Sequence, residues 1–529
     1  MKQISLIICT ICLCIGCEEI FHPEETTIGI IESPEELESA VNGVYGELAK
    51  SFTHLYEDNG FFIVNEKGDD LSSKMANYSV FYRGSSYCGT MDNGEVVHNA
   101  WNRLYSVITS ANNIIVQYNP AIIQDKSIAK LLGEAYLLRA YSYFRLTRTY
   151  GQVPLVDDIE ISYTLPKASF REIYEFIEAD LKMAMSLLPA NNNEARIPYI
   201  TPHRGVAKAI LAEVYLSWAG YPVKDALKYT LAASLAKEVI DSAAYFGMGL
   251  VSDFANLWDS DHYYNCESVF ILYFADPRYT TILDEINTAY SGHVIEFGDL
   301  KIHPDSSGLY IFFPPAEINF YNSYPAGYRK EITFFSTIYV PNEYPYYPEI
   351  DTGYVHIQFV DECSRIAYRK FYYNYYSIPF SQFYNTSTTL EFLLGNNKIY
   401  LFRYAQTLLT YAEAKVRSGQ LDALAYEAVN RIRRRANNVD QYSVSAYDLT
   451  PGLSTEAFAD SVVWERAWEL AGEPEGRWFD LVRLELVENL PQWRHPQEGG
   501  PPFAPITKED YFSPIPEEDQ LLNPNLGEE

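Results

Sequence analysis

From Ile399 to Ala436 apolar residues return at the interval of an α-helix. Leu401, Ala405, Leu408, Leu409, Ala412 and Val416 fall at i, i+4, i+7, i+8, i+11 and i+15, on one face. Gly419 ends this predicted helix, because a glycine just past the last periodic residue readily takes the left-handed conformation. Lys415 and Arg417 place cations in the last turn, where the helix dipole favours them. A second helix follows at once, with Leu421, Leu424, Ala428, Val429 and Ile432 on its apolar side and the basic run Arg431, Arg433, Arg434, Arg435 at its end. So short a connection makes the pair antiparallel, and Ala412, Ala414, Ala423, Ala425 and Ala428 let the two backbones approach closely.

The same periodicity predicts helices along most of the chain. Ser33-Pro34-Glu35-Glu36 is a capping pattern ahead of Leu37, Val41, Val44 and Leu48. Trp101, Leu104, Ile108, Asn112 and Ile115 mark a helix that stops near Pro120. Leu131, Ala135, Leu138 and Ser142, flanked by Leu137, Tyr141 and Phe144, mark one apolar over much of its circumference, hence central, and ended by Gly151 and Pro154. Helices follow over Phe170–Leu188, Arg204–Trp218, Asp225–Ile240 and Thr455–Leu470, and Ser268–Phe274 reads as a short strand. Arg477–Arg483 comes after a turn at Pro474 and Gly476, and the proline-bearing tail from Tyr511 is expected to be extended and docked on the helical body. Two stretches break the pattern. Residues 52–95 gather polar and aromatic groups, and 275–397 is punctuated by proline and glycine and crowded with tyrosine. Irregular stretches of that length are functional excursions more often than connections, with a rigid scaffold positioning their binding groups.

With 529 residues, 47% of them hydrophobic, the chain can bury a large core as one domain with an insertion or as two intimate domains. A formal net charge of -30 argues against a nucleic-acid partner. Lys2, the apolar Ile4–Ile15 and Gly16 before Cys17 form a signal segment too short to span a bilayer. Leu13-Cys14-Ile15-Gly16-Cys17 resembles a bacterial lipoprotein box, which implies cleavage after residue 16 and a lipid on the Cys17 thiol; an ordinary signal peptide is the alternative. Of the seven cysteines, Cys88, Cys266 and Cys363 would then remain, spaced for no zinc site and able to form at most one disulfide.

Gly133–Val156 (GEAYLLRAYSYFRLTRTYGQVPLV), Tyr400–Lys415 (YLFRYAQTLLTYAEAK), Val429–Ala436 (VNRIRRRA), Glu465–Arg483 with its ERAWEL and EGRWFDLVR, and Ser513–Leu526 (SPIPEEDQLLNPNL) stand in one order. Together they resemble the SusD/RagB-like nutrient-binding lipoproteins of bacterial outer membranes. One departure stands at Ala471-Gly472-Glu473-Pro474, which lengthens a join that is shorter in the family and leaves the turn and its charge pairing open. The resemblance implies a mainly α fold: a tetratricopeptide-like helical-hairpin scaffold over about 33–245 and 398–490, with a large irregular, partly β insertion over about 246–397. It also implies a signal peptide over 1–16, a lipid-anchored tether over 17–32 and an extended tail over 491–529. In function it implies a protein anchored to the outer membrane through Cys17 and facing outward. Such a protein captures oligosaccharide for a SusC-like TonB-dependent transporter, without catalysis; the residues themselves point to no cofactor and no metal site, and a calcium ion steadying a loop is left open.

No H-E-x-x-H, G-x-S-x-G or G-x-x-x-x-G-K-[ST] occurs, and the nine histidines are scattered. Glu465, Glu469, Arg477, Asp480 and Arg483 are expected to pair across helices, and Trp478 and Phe479 to be core. A sugar ring has apolar C–H faces and a hydroxyl rim, so tyrosine can stack on it while charged or amide groups bond its edge. The candidate ligand-binding residues are therefore Asp70, Arg83 and Tyr87 in the aromatic-rich part of the first excursion, residues 54–90, and Tyr321, Tyr324, Tyr344 and Tyr346 in that of the second, residues 300–385. Loop packing is the plainer role for each tyrosine. The competing function is a peptide-binding or protein-interaction scaffold, since tetratricopeptide grooves also hold extended peptides.

Overall fold

A proline in the first turn and a serine in front of it begin α1 (Pro34–Lys50). Ser33 Oγ accepts the Glu36 N–H at 3.1 Å, and the Glu36 carboxylate accepts the Glu32 N–H at 2.8 Å. The computed structural model describes residues 31–51, 68–70, 94–118, 125–159, 162–258, 264–273, 316–335, 337–341, 354–358, 367–368, 398–493, 495 and 506–527. The signal segment and Cys17 lie outside them. No helix among the described residues is long and apolar enough to cross a membrane.

α2 (Gly94–Ile115), α3 (Lys126–Tyr150), α4 (Phe170–Leu187), α5 (Arg204–Trp218) and α6 (Leu227–Asp241) each pack on the helix before, and α1 rests on α2 and α3. Every residue of α3 from Leu131 to Tyr150 is buried, as its near-continuous apolar surface demands. Gly151 then takes φ +80°, and the tail crosses so close that a Cβ there would sit 3.3 Å from the Phe512 ring. After the single turn α7 (Ala243–Phe246) comes β1 (Ser268–Tyr273). The described residues between 316 and 368 form α8 (Ile318–Ser323), α9 (Tyr328–Thr333) and two small antiparallel ladders, β2 (Phe334–Phe335) with β5 (Ala367–Tyr368) and β3 (Thr337–Pro341) with β4 (Tyr354–Gln358).

The periodic stripe from Leu401 divides between a strand and a helix. Lys398–Arg403 is β6, wholly buried and paired antiparallel with β1, and α10 (Tyr404–Arg417) starts only where the Tyr404 N–H donates to Glu267 O at 3.0 Å. Leu401 thus lies within the strand, at the register shift between the Phe270–Phe402 and Ile271–Tyr400 pairs, and the apolar face of α10 begins at Ala405. Gly419, at φ +71°, closes α10, and the Gln420 N–H reaches back to Lys415 O at 2.9 Å. α11 (Ala423–Ala436) completes the hairpin, α12 (Thr455–Glu469) packs on α10, and α10 seats on α6. One apolar core runs from α1 through β1, β6 and α12. The rest is α13 (Arg477–Arg483), the short α14 (Leu490–Trp493) and the tail, which contains α15 (Glu517–Leu522). The tail docks by polar contacts: Ser513 N–H donates to Thr149 O at 2.7 Å, and the Asn523 and Asn525 amides donate to Leu165 O and Thr164 O, both at 2.8 Å.

Candidate functional site

Below α12 lies a closed cluster of charge. Four carboxylates, Glu267, Glu465, Glu469 and Glu473, meet four guanidiniums, Arg329, Arg403, Arg433 and Arg435. Arg403 is its hub: Nη1 is 2.6 Å from Glu267 and 2.9 Å from Glu469, and Nε and Nη2 each lie 2.8 Å from Glu473. Burial alone would raise the Glu469 carboxyl, but Arg435, Arg403 and Arg329 outweigh it and hold the group at about 2. The basic run of α11 is therefore spent internally: Arg433 and Arg435 join this cluster, and Arg434 pairs with Glu427 and Asp448. A second set joins α5, α10, α12 and α13, with Arg466 between Glu213 and Asp480 and Arg483 doubly bonded to Glu413 at 2.6 and 2.7 Å.

The lengthened join after α12 is fully paired. Glu473 binds Arg403, Pro474 O accepts Arg145 Nη1 at 2.6 Å, and Glu475 takes Arg145, Arg148 and the Tyr141 hydroxyl. Gly472, left-handed at φ +72°, donates its N–H to Asp70 Oδ2 at 2.8 Å. Asp69 grips Arg477 at 2.6 and 2.8 Å, and the Glu317 N–H donates to Asp70 O at 3.2 Å. Asp70 of the first irregular stretch and Glu317 of the second thus meet at this join.

Above the joint stands an aromatic face. Of the seven tryptophans, Trp101, Trp218, Trp258 and Trp478 are buried in the core. The other three, all half-buried, meet one another: ring centres of Trp464 and Trp468 are 5.8 Å apart at 29°, and those of Trp464 and Trp493 5.9 Å apart at 35°. Trp464 and Trp468 are one helical turn apart on α12, about 100° around the helix from Glu465 and Glu469. Arg477, held by Asp69, lies 4.9 Å from the Trp464 ring centre, and Asn319 Nδ2 donates to Trp493 O at 2.6 Å. Sequence reasoning missed this face because Trp493 meets Trp464 only in the folded chain.

The structure redistributes the residues expected to bind ligand. Asp70 is 3% exposed; burial pushes its carboxyl up to about 6 against the pull of the Gly472 N–H, so it serves as the joint between excursions. Tyr324 is 2% exposed, with its hydroxyl donating to Trp468 O at 2.7 Å and its ring 5.0 Å from Phe334, so it supports the aromatic face from below. Both therefore leave the ligand set, since neither presents a surface. Tyr321 is half-buried, edge-on to Phe334 at 5.3 Å with Lys330 Nζ 3.9 Å from its ring centre, and it keeps an open side. Arg83, Tyr87, Tyr344 and Tyr346 lie outside the described residues. Tyr324→Phe is expected to cost ~1 kcal/mol, the net worth of the buried bond to Trp468 O. Chemical denaturation measures it, and an unchanged midpoint would mean the hydroxyl is not holding α12.

A model of the SusD family matches residues 364–528, and one described as "Starch-binding associating with outer membrane" matches 22–216. SusD-like protein P2 of Formosa agariphila is 26% identical over 97% of this chain and 96% of its own length. A SusD-like protein of Bacteroides ovatus is 24% identical over 82% of this chain and 81% of its own. Among solved structures, a SusD homolog from Bacteroides thetaiotaomicron matches with a TM-score of 0.72 at 22% identity, covering 94% of this chain and 97% of that one. Surface glycan-binding protein A from Bacteroides fluxus matches at 0.67 and 21% identity over 93% and 97% of the two chains. A laminarin-binding SusD-like protein matches at 0.66 and 20% over 92% and 97%. At such identities the structural likeness is one of fold. The helical frame and the two halves that flank its variable middle agree with the full-length relatives, and the chain belongs to the SusD/RagB-like family.

Proposed function

We propose that this protein captures glycan at the outside of the outer membrane, anchored there by a lipid on Cys17, and passes it to a SusC-like TonB-dependent transporter. The observation that supports the reading is the joint at Asp70, Glu317 and Gly472, which ties the described residues of the two aromatic-rich stretches to a stiff helical frame. The relatives support it through what they are described as: starch-binding, surface glycan-binding and laminarin-binding. No bond-breaking is part of the proposal. Glu413, Glu469 and Glu475 sit between guanidiniums that hold them ionised, so none of these can act as a general acid.

Affinity electrophoresis against a panel of polysaccharides, beside calorimetry with peptide mixtures, tests the reading. Retardation by at least one polysaccharide and no heat with peptides is the expected result. Peptide binding without any retardation would overturn it in favour of the peptide scaffold. Cys17→Ala should release the protein from the outer-membrane fraction; continued membrane association would remove the lipid anchor from the reading.

A further inference from the structure

We infer that the loop joining α11 to α12 is a docking surface that presents Tyr442, Val444 and Tyr447 to a partner protein whose own surface offers an apolar pocket edged by lysine or arginine. The inference goes beyond the glycan reading and does not depend on it.

The surface follows from how the loop is held. Eighteen residues, 437–454, separate the two helices, against the roughly 2–8 that usually join helices in a bundle. So long a connection normally turns polar side chains outward, yet Val439, Tyr442, Val444 and Tyr447 are all exposed, Tyr442 at 69% and Val444 at 89%. The basic run of α11 pins the loop from below. Arg434 bonds both carboxylate oxygens of Asp448 and donates to Gln441 O at 3.1 Å, and Arg433 Nε donates to Tyr447 O at 2.7 Å. Arg431 donates to the Tyr442 hydroxyl at 3.3 Å, with its guanidinium 4.9 Å from the centre of that ring. Asn430 Oδ1 accepts the Leu449 N–H at 2.8 Å, and Gln441 Nε2 donates to Leu250 O at 3.3 Å. A loop fixed at this many points loses little freedom on binding, the condition under which exposed aromatic and aliphatic side chains act as anchors.

The partner follows from charge and shape. No lysine or arginine occurs between Arg435 and Arg466, so the loop and the first half of α12 offer no cation, while Asp440, Glu456 and Asp460 are exposed. An apolar tip on a surface whose exposed charges are all acidic fits a pocket with basic edges. The same acids repel a second copy of the chain, and a membrane-binding surface would carry lysine and arginine instead. A glycan is the weaker fit. Arg431 already lies against the Tyr442 ring, and Val444, the most exposed of the four, is a branched aliphatic side chain with no flat face to stack.

The test uses the full-length chain in the cells that make it, with the photo-cross-linker p-benzoylphenylalanine in place of Val444, of Tyr442 or, as a control, of Val116, which is exposed just beyond α2. Irradiation is expected to join positions 442 and 444 to one and the same protein, at an apolar segment flanked by lysine or arginine, and to join position 116 to none of it. In the purified pair, Val444→Asp should weaken association about tenfold or more, the loss of an anchor, and added salt should weaken it for the wild type as well. The thermal midpoint of Val444→Asp, a change at an almost wholly exposed side chain, checks that the fold is intact. Retardation by polysaccharide should be the same for Val444→Asp and wild type, so the docking surface and the glycan reading fail separately. Cross-links to lipid, to polysaccharide, to a second copy of the chain or to a protein surface without basic residues overturn the inference. So does the absence of any cross-link from 442 and 444, or an affinity that Val444→Asp leaves unchanged.

Discussion

Replacing Arg403 by leucine is expected to destabilise the protein by about 3–5 kcal/mol, the cost of leaving buried carboxylates without their cation. Arg403 has no exposed side-chain surface and binds Glu267, Glu469 and Glu473 at once. Without it the four-against-four cluster carries a net negative charge in the interior, and Glu473 loses both of its bonds to Arg403. The effect also spreads, because the three acids precede β1, end α12 and form the turn after it. Chemical denaturation of the variant measures the loss. Adding Glu473→Gln should recover part of it by removing the carboxylate left most exposed to the missing charge. A single variant as stable as wild type would show that water enters the cluster and that the pairing is incidental to the fold.

That network explains how much of the molecule could be read from its residues alone. The helices were legible because their apolar stripes and caps are local: Ser33 before Pro34, Gly151 after Tyr150, Gly419 after Val416. Glu465, Glu469, Asp480 and Arg483 were legible as pairing groups because charged residues on a helix otherwise apolar on that side must find partners. Leu401 was misplaced because a six-residue buried strand running straight into a helix shares apolar positions with the helical stripe, and only the β1 ladder decides between them. Asp70 and Tyr324 were misplaced for a different reason. Their partners are Gly472, 402 residues away, and Trp468, 144 residues away, and no local pattern reports contacts at that separation. The same distance hid the aromatic face, since Trp493 reaches Trp464 only after the chain has turned through α13 and α14.

Asp70→Asn is expected to make the protein more stable than wild type at neutral pH and to remove part of its pH dependence. Burial raises the Asp70 carboxyl from 3.8 to about 6, so between those values the folded state holds a proton that the unfolded chain gives up. Stability therefore falls as pH rises through that window, by on the order of 2–3 kcal/mol by pH 7.5, and asparagine does not titrate. Its carboxamide oxygen can still accept the Gly472 N–H, so the joint between the excursions is kept. Glu469 acts in the opposite sense. Held at about 2 against an ordinary 4.5, it contributes stability that is present above 4.5 and lost as pH falls towards 2. That acid-side loss is common to both proteins and cancels in their difference. Denaturation of the pair at pH 4 and pH 7.5 should thus show curves that nearly meet in acid and separate at neutrality, with the asparagine variant above. Curves parallel across the range would mean that Asp70 is ionised in the fold at an ordinary pKa, and that the joint on which both excursions hang stores no strain from a buried charge.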